Sequence, residues 1–542
     1  MNPSIKSMDV AGLKAALHDG GEIALLDARE EVPFDARHML MAGCLPLGRV
    51  EVMIDDLVPR RSARVIWCDD GEGLAEKAAE RMREIGYEDI SVLSGGTGAW
   101  EAAGHPIYSG VHVPSKAFAE VVEHEAGTPH ITAQELQSLI DSKADIAIYD
   151  TRSYEEYHSN SIPGAVSVPG AEIVLRFKDL TPSRDTMVVV NCGGRTRSII
   201  GAQALINAGV PNKVFSLKNG TQDWHLAGYD VVKGATRRPP EVSEAGLDAA
   251  IVGARRIAKL CNVNIIDRGT LEAWRAEADT RTLYMLDVRT PEEYEAGHIA
   301  GVKHIAGGQL VQETDAHLAT WGARVVLLDD NGIRATITAS WLKQMGWDVA
   351  IMTNKETGGE TTTGPHKPAV QGFDSPKALR ISANDLKVKL DAGTAVVVDL
   401  NWSRGYYDGH IPGSWYAIRS RLDADIGNLP SAKTLVFTSA DGVLAEVAAA
   451  DRSRPDGSVM ALEGGTAAWT AAGLPLETGA THMASAAEDI RLKAREQGRD
   501  IEEAMRTYLA WEIELVNDMA KDGDHRFNVI APHPNPKTLF GV

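Results

Sequence analysis

The sequence predicts an α/β protein built from four tandem copies of one small parallel-sheet unit and closed by a C-terminal helical segment. Three observations carry that prediction. An apolar, β-branched strand ending in Asp recurs as IALLDAR (Asp27), IAIYDTR (Asp150), LYMLDVR (Asp287) and AVVVDLN (Asp399), at separations of 123, 137 and 112 residues. That period fits a complete small domain and is too long for a solenoid repeat. Each Asp is followed by a second apolar strand that ends 40 to 42 residues later, at Cys68, Cys192, Asp329 and Ser439. These strands, rich in Val, Ile and Leu, read as buried on both faces, and helical patterns alternate with them, as in an α/β parallel sheet. The length of 542 residues excludes a single core, which stops growing at roughly 250 to 300 residues.

Taken in order, the units span 1–108, 130–232, 265–353 and 379–477, and linkers at 109–129, 233–264 and 354–378 interrupt the pattern. The second unit opens on TAQELQSLIDS, with Thr132 as N-cap and Glu135 completing a capping box. The middle linker carries a helical stretch, EAGLDAAIVGARRIAKL. Eleven residues past each Asp stand His38, Ser161, His298 and His410, which we read as turn-stabilising. Near the ends of units one, two and four, SGGTGAW, KNGTQDW and EGGTAAW place Thr97, Thr221 and Thr466 in register, with Trp100, Trp224 and Trp469 as core residues. Unit three has NKETGGE there and no Trp, a degenerate end. Residues 484–522, with Ile501, Met505, Tyr508, Leu509, Glu512 and Leu515 at helical spacing, predict a terminal helix. We expect it, with units three and four, to shape the mouth of a site in unit two. His533 to Pro536 read as a tail.

Charge narrows the function. Lys and Arg number 55 against 75 Asp and Glu, a net −20, which opposes nucleic acid and anionic membrane as partners. The opening MNPSIKSMDV lacks a leader pattern and no stretch approaches the roughly 20 apolar residues of a membrane span, so the cytoplasm is the expected compartment. Cys44, Cys68, Cys192 and Cys261 are too few and too scattered for a disulfide framework, and no His and Cys cluster has metal-ligand spacing. No cofactor is implied. A conspicuous cysteine is therefore a candidate for chemistry.

The conspicuous one is Cys192, in VVVNCGGRTRSIIGAQAL. A strand runs into it, a Gly and Arg loop follows, and a helix begins near Ser198. Such a loop turns peptide N–H groups toward the sulfur, and the helix N-terminus adds partial positive charge. With Arg195 and Arg197 alongside, these features predict a thiol depressed below its free value of about 8.5 and an attraction for anions.

These residues resemble the rhodanese family of sulfurtransferases. The resemblance rests on Asp150 and Arg152, the S-I-P-G-A turn, and the loop from Cys192 to Ser198; in outline it covers residues 1–476. It implies a Cys192 nucleophile that takes sulfane sulfur from a donor such as thiosulfate and passes it, as a persulfide, to cyanide or a thiol. It further implies a cradle of main-chain groups from Gly193, Gly194, Arg195, Thr196 and Arg197, with Arg197 facing the anion. Arg195 departs from the family loop, which often has Gly at that position.

The other loops differ. Unit one keeps Cys68 but follows it with Asp69, Asp70 and Glu72, which oppose a thiolate and an anionic substrate, so Cys68 is at most a second site. Asp329 and Ser439 cannot form a persulfide. Two rival readings stay open: a Cys-dependent phosphatase or arsenate reductase, against which stands the six-residue length of Cys192 through Arg197, and a non-enzymatic scaffold or sulfur sensor.

Overall fold

The computed structural model describes residues 5–372, 378–493, 496 and 500–530, and the chain divides into two compact units. The first comprises Met1–Ala15, Ala24–Val111 and Pro368–Leu492; the second comprises Ala16–Ile23, His112–Lys367 and Lys493–Val542. Residues 533–536 lie outside the described residues.

The first unit holds two parallel sheets. One joins Lys6–Met8, Asp89–Leu93, Arg64–Cys68, Ile23–Asp27 and Gly43–Cys44 in that spatial order. The other joins Leu379–Ile381, Val459–Leu462, Thr434–Thr438, Ala395–Asp399 and Trp415–Tyr416. The second unit repeats the arrangement twice. Its sheets run His130–Ile131, Val214–Leu217, Met187–Asn191, Ile146–Asp150, Val166–Ser167, and Asn264–Ile265, Asp348–Thr353, Arg324–Asp329, Leu283–Asp287, Lys303–His304. In each sheet the central strand is the one that runs to Cys68, Cys192, Asp329 or Ser439. Helices cover both faces, which is why Val188, Val189 and Val190 are fully buried and why the strand carries no alternation.

The repeated residues are structural. Arg29, Arg152 and Arg289 each grip the Asp two positions earlier with Nε and Nη2 and donate Nη2 to a carbonyl eight residues on, at Arg37, Asn160 and Gly297. This two-toothed pairing ties the strand end to the following turn. His38, His298 and His410 bond through Nδ1 to the carbonyls of Phe34, Tyr294 and Tyr406 and stack on those rings, with centroids 3.7 to 4.0 Å apart. Trp100, Trp224 and Trp469 are buried, and each donates Nε1 to a carbonyl six residues on. Where units one, two and four have this Trp helix, unit three has the short helix Asn354–Thr357.

Two segments differ from their sequence reading. The stretch 109–129 is more than a linker: Val113–Ala126 is a helix with Pro at its start and Gly127 as C-cap, packed on the second domain's helix Thr196–Ala208, with Phe118 edge-on to Trp341 and Phe527. The helical pattern from 484 becomes helix at Ile501–Lys521, where Asp500 caps the peptide N–H groups of Glu502 and Glu503. Residues 484–493 are irregular because their side chains serve other backbone groups. Ser485 Oγ accepts from Ile418 N at 3.0 Å and Asp489 Oδ2 from Ser403 N at 2.6 Å.

Candidate active site

The strand Met187–Asn191 delivers Cys192 to the C-terminal edge of the second domain's sheet, and the helix Thr196–Ala208 starts four residues later. The thiol is 2% exposed. Its Sγ lies 3.5 Å from Ser198 Oγ, which in turn donates to Arg195 O at 2.8 Å. A second segment presses on the loop from behind. Thr221 N donates to Cys192 O at 2.9 Å, and a Cβ on Gly220, whose φ is +57°, would fall 2.3 Å from that carbonyl. Only glycine permits that approach.

The arginines have separate duties. Arg197 pairs with Glu156 through Nη1 at 2.7 Å and Nη2 at 3.1 Å, and donates Nη1 to Gln309 Oε1 of the third domain at 2.8 Å. Arg195 is buried with Glu120 and Glu123 of helix Val113–Ala126 and with Asn219, so its charge is taken up there. Burial pushes the Glu120 carboxyl up to about 7 even with Arg195 beside it. The sequence led us to expect a depressed Cys192 thiol. Burial instead pushes it up; Arg197 and the hydroxyl and N–H of Ser198 pull it down, and Glu512 adds to the rise.

Glu512 is the residue that motif reading missed. The terminal helix carries it onto the loop, where Oε1 accepts from Thr196 Oγ1 at 2.9 Å. A Cβ on Gly194 would sit 3.2 Å from Glu512 Oε2 and 3.3 Å from Gln222 Nε2. Lys116 lies over the rings of Tyr508 and Trp511 on the same helix, at 5.5 and 5.1 Å from their centroids. The only sequence signal was Glu512 falling on the apolar stripe of its helix, with Met505, Leu509 and Leu515.

The remaining loops are filled by their own side chains. Asp69 accepts from the N–H groups of Gly71, Leu74 and Ala75, at 2.9, 2.6 and 3.1 Å. Cys68 turns its Sγ toward Leu26 O at 3.5 Å, and burial followed by Asp27 holds its thiol well above the ordinary range. Asp329 accepts from Gly332 N and Ala335 N, and Ser439 Oγ from Ala445 N. By contrast, the N–H groups of residues 193–197 have no acceptor among the described residues. Cys44 contacts Arg29 O, and Cys261 is buried at the end of the helix Glu244–Leu260, its thiol pushed up to about 11.

Comparison with known proteins agrees with this geometry. The family model of the rhodanese-like domain matches residues 9–103, 132–227 and 269–354. The crystal structure of a thiosulfate sulfurtransferase from Pseudomonas aeruginosa superposes with a TM-score of 0.91 at 44% identity, over 97% of this chain and 100% of that one. Among curated proteins, an HTH-type transcriptional regulator of Mycobacterium tuberculosis is 34% identical over 91 residues, 17% of this chain and 39% of its own length. A thiosulfate sulfurtransferase of Azotobacter vinelandii is 26% identical over 157 residues, 28% of this chain and 57% of its own length. The chain thus spans between about two fifths and three fifths of these two curated relatives. With three matched domains and a full-length structural relative, this chain belongs to the rhodanese family.

Proposed function

We propose that the protein is a cytoplasmic sulfurtransferase with four rhodanese-like domains, in which the second domain carries the reaction through Cys192. The observation that carries this reading is the loop itself: Cys192 is the one thiol set among loop N–H groups that no neighbouring carboxylate of the same loop consumes. The fourth domain is included because its sheet repeats the strand order of the other three.

The Cys192 thiolate attacks the outer sulfur of thiosulfate or a similar donor. The donor's S–S bond breaks, its electron pair leaves with sulfite, and the transferred sulfur stays on Cys192 as a persulfide. A thiolate or cyanide then attacks that outer sulfur and returns the Cys192 thiolate. Gly193, Gly194, Arg195, Thr196 and Arg197 supply main-chain donors to the anion, and Arg197, anchored by Glu156, supplies the nearest full positive charge. Cys68 is packing in this reading. The thiosulfate sulfurtransferase relatives favour sulfur over phosphate or arsenate chemistry.

The test is intact-protein mass after thiosulfate exposure, with sulfite release followed in parallel. A one-sulfur gain in wild type and in Cys68→Ser, absent from Cys192→Ser, is the expected result. A gain that survives Cys192→Ser overturns the assignment, and no gain in wild type overturns thiosulfate as donor.

A further inference from the structure

The second domain's loop has a carboxylate against it, as the first and third domains' loops do, but from a different source. In those domains Asp69 and Asp329 belong to the loop they fill. At Cys192 the carboxylate is Glu512, about 320 residues further along the chain and brought in by the helix Ile501–Lys521. One of its oxygens is held by Thr196; the other, Oε2, faces the loop, where a Cβ on Gly194 would lie 3.2 Å from it, with Tyr508 of the same helix alongside. The side chain is 1% exposed. A carboxylate buried against a ligand loop carries a desolvation cost, and its charge bears directly on whatever that loop binds.

We propose that Glu512 selects the sulfur donor at Cys192 by charge, disfavouring dianionic donors relative to donors with one negative charge. This rests on the sulfur-transfer reading above. Thr196, which donates to Glu512, and Gly194, beside which its Oε2 lies, are also the residues that would cradle the donor's oxygens, so donor and carboxylate share one small volume. Burial raises the Glu512 pKa, while Lys116, Thr196, Arg195 and Tyr508 favour its ionised form. In its ionised form Glu512 meets each further negative charge on the donor at short range, where a pair of unit charges is worth more than about a factor of ten in rate.

Two donors with the same transferable sulfur separate the effect from chemistry. Thiosulfate is a dianion and leaves as sulfite; methanethiosulfonate is a monoanion and leaves as methanesulfinate. We expect Glu512→Gln to raise kcat/KM for thiosulfate relative to methanethiosulfonate by about tenfold, and Glu512→Asp to keep the wild-type ratio. An unchanged ratio in Glu512→Gln overturns the proposal.

A reaction without sulfur transfer tests the same charge independently. Cys192 is alkylated with neutral iodoacetamide or anionic iodoacetate and quantified by peptide mass, in wild type and in Glu512→Gln, each with a thermal melt to verify folding. A rise of about tenfold in the iodoacetate to iodoacetamide ratio supports Glu512 as a charge filter even if thiosulfate proves not to be a donor. An unchanged ratio, or no alkylation of Cys192 in either protein, overturns it.

Discussion

The Cys192 loop and the Asp329 loop sit in neighbouring domains of one unit, at the ends of equivalent strands, and they use the same frame for opposite ends. Six residues past the repeated Asp, both have a Glu, Glu156 and Glu293; five residues past the loop start, both have an Arg, Arg197 and Arg334. In both, that Arg pairs with that Glu. The domains also reach into each other at equivalent positions, since Gln309 of the third touches Arg197 and Glu172 of the second touches Arg334. The difference is charge balance. Arg334 meets three carboxylates, Glu172, Glu293 and Asp330, beside a loop whose amides Asp329 has taken. Arg197 meets one carboxylate and one amide side chain, beside a loop that holds a thiol. On one frame, the third domain's loop holds an ion-pair knot of carboxylates where the second domain's loop holds a thiol.

The sharpest way to break this comparison is to remove the shared arginine from each loop. Arg197→Gln takes away the cation that favours the Cys192 thiolate and leaves Glu156 facing the site, so the rate of sulfur loading should fall by at least about a hundredfold. Arg334→Gln should leave loading unchanged and instead destabilise the third domain, by roughly 3–5 kcal/mol for a broken buried ion pair. Loading kinetics and peptide-resolved hydrogen exchange separate the two outcomes. Equal kinetic losses would mean that the third domain's arginine serves the Cys192 site.

Asp329 itself offers a pH test. Burial pushes its carboxyl up to about 6, against the hydrogen bonds from Gly332 and Ala335 and the charge of Arg334. The folded state therefore holds the proton more tightly than the unfolded chain, whose Asp titrates near 3.9. The resulting stability is present below about pH 4 and is lost as pH rises through about 6, on the order of 3 kcal/mol. Asp329→Asn should abolish that loss in the third domain. Hydrogen exchange at pH 4 and pH 7.5 checks it, and parallel pH slopes in wild type and variant would reject the assignment.

Much of this frame was legible in sequence because it depends on local spacing. The four strand-and-Asp repeats and the histidines read as turn-stabilising each involve residues within about a dozen positions, so period alone exposed them; the aromatic rings those histidines stack on are seen only in the structure. Cys192 stood out for the same reason. What escaped was supplied from far along the chain. Glu120 and Glu123 sit on a helix read as a linker, and they absorb the charge that Arg195 was expected to lend the site. Glu512 comes from a helix whose pattern records only burial. The thiol's shift had the opposite sign to that expected because motif reading counts charges and does not see desolvation.

The finest contrast is the reciprocal pair Gln309 and Glu172, both 22 residues past their repeated Asp. Gln309→Glu would give Arg197 the second carboxylate that Arg334 already has. The added charge draws the guanidinium further from the thiol and opposes the thiolate directly, so loading should slow by about three- to tenfold with little change in stability. Glu172→Gln makes the reverse exchange and should leave loading at the wild-type rate, because Arg334 keeps Glu293 and Asp330 and serves no thiol. Should Gln309→Glu load sulfur at the wild-type rate, the balance of carboxylates around Arg197 would not set the reactivity of Cys192. The difference between the two loops would then reduce to the single exchange of a thiol for a carboxylate.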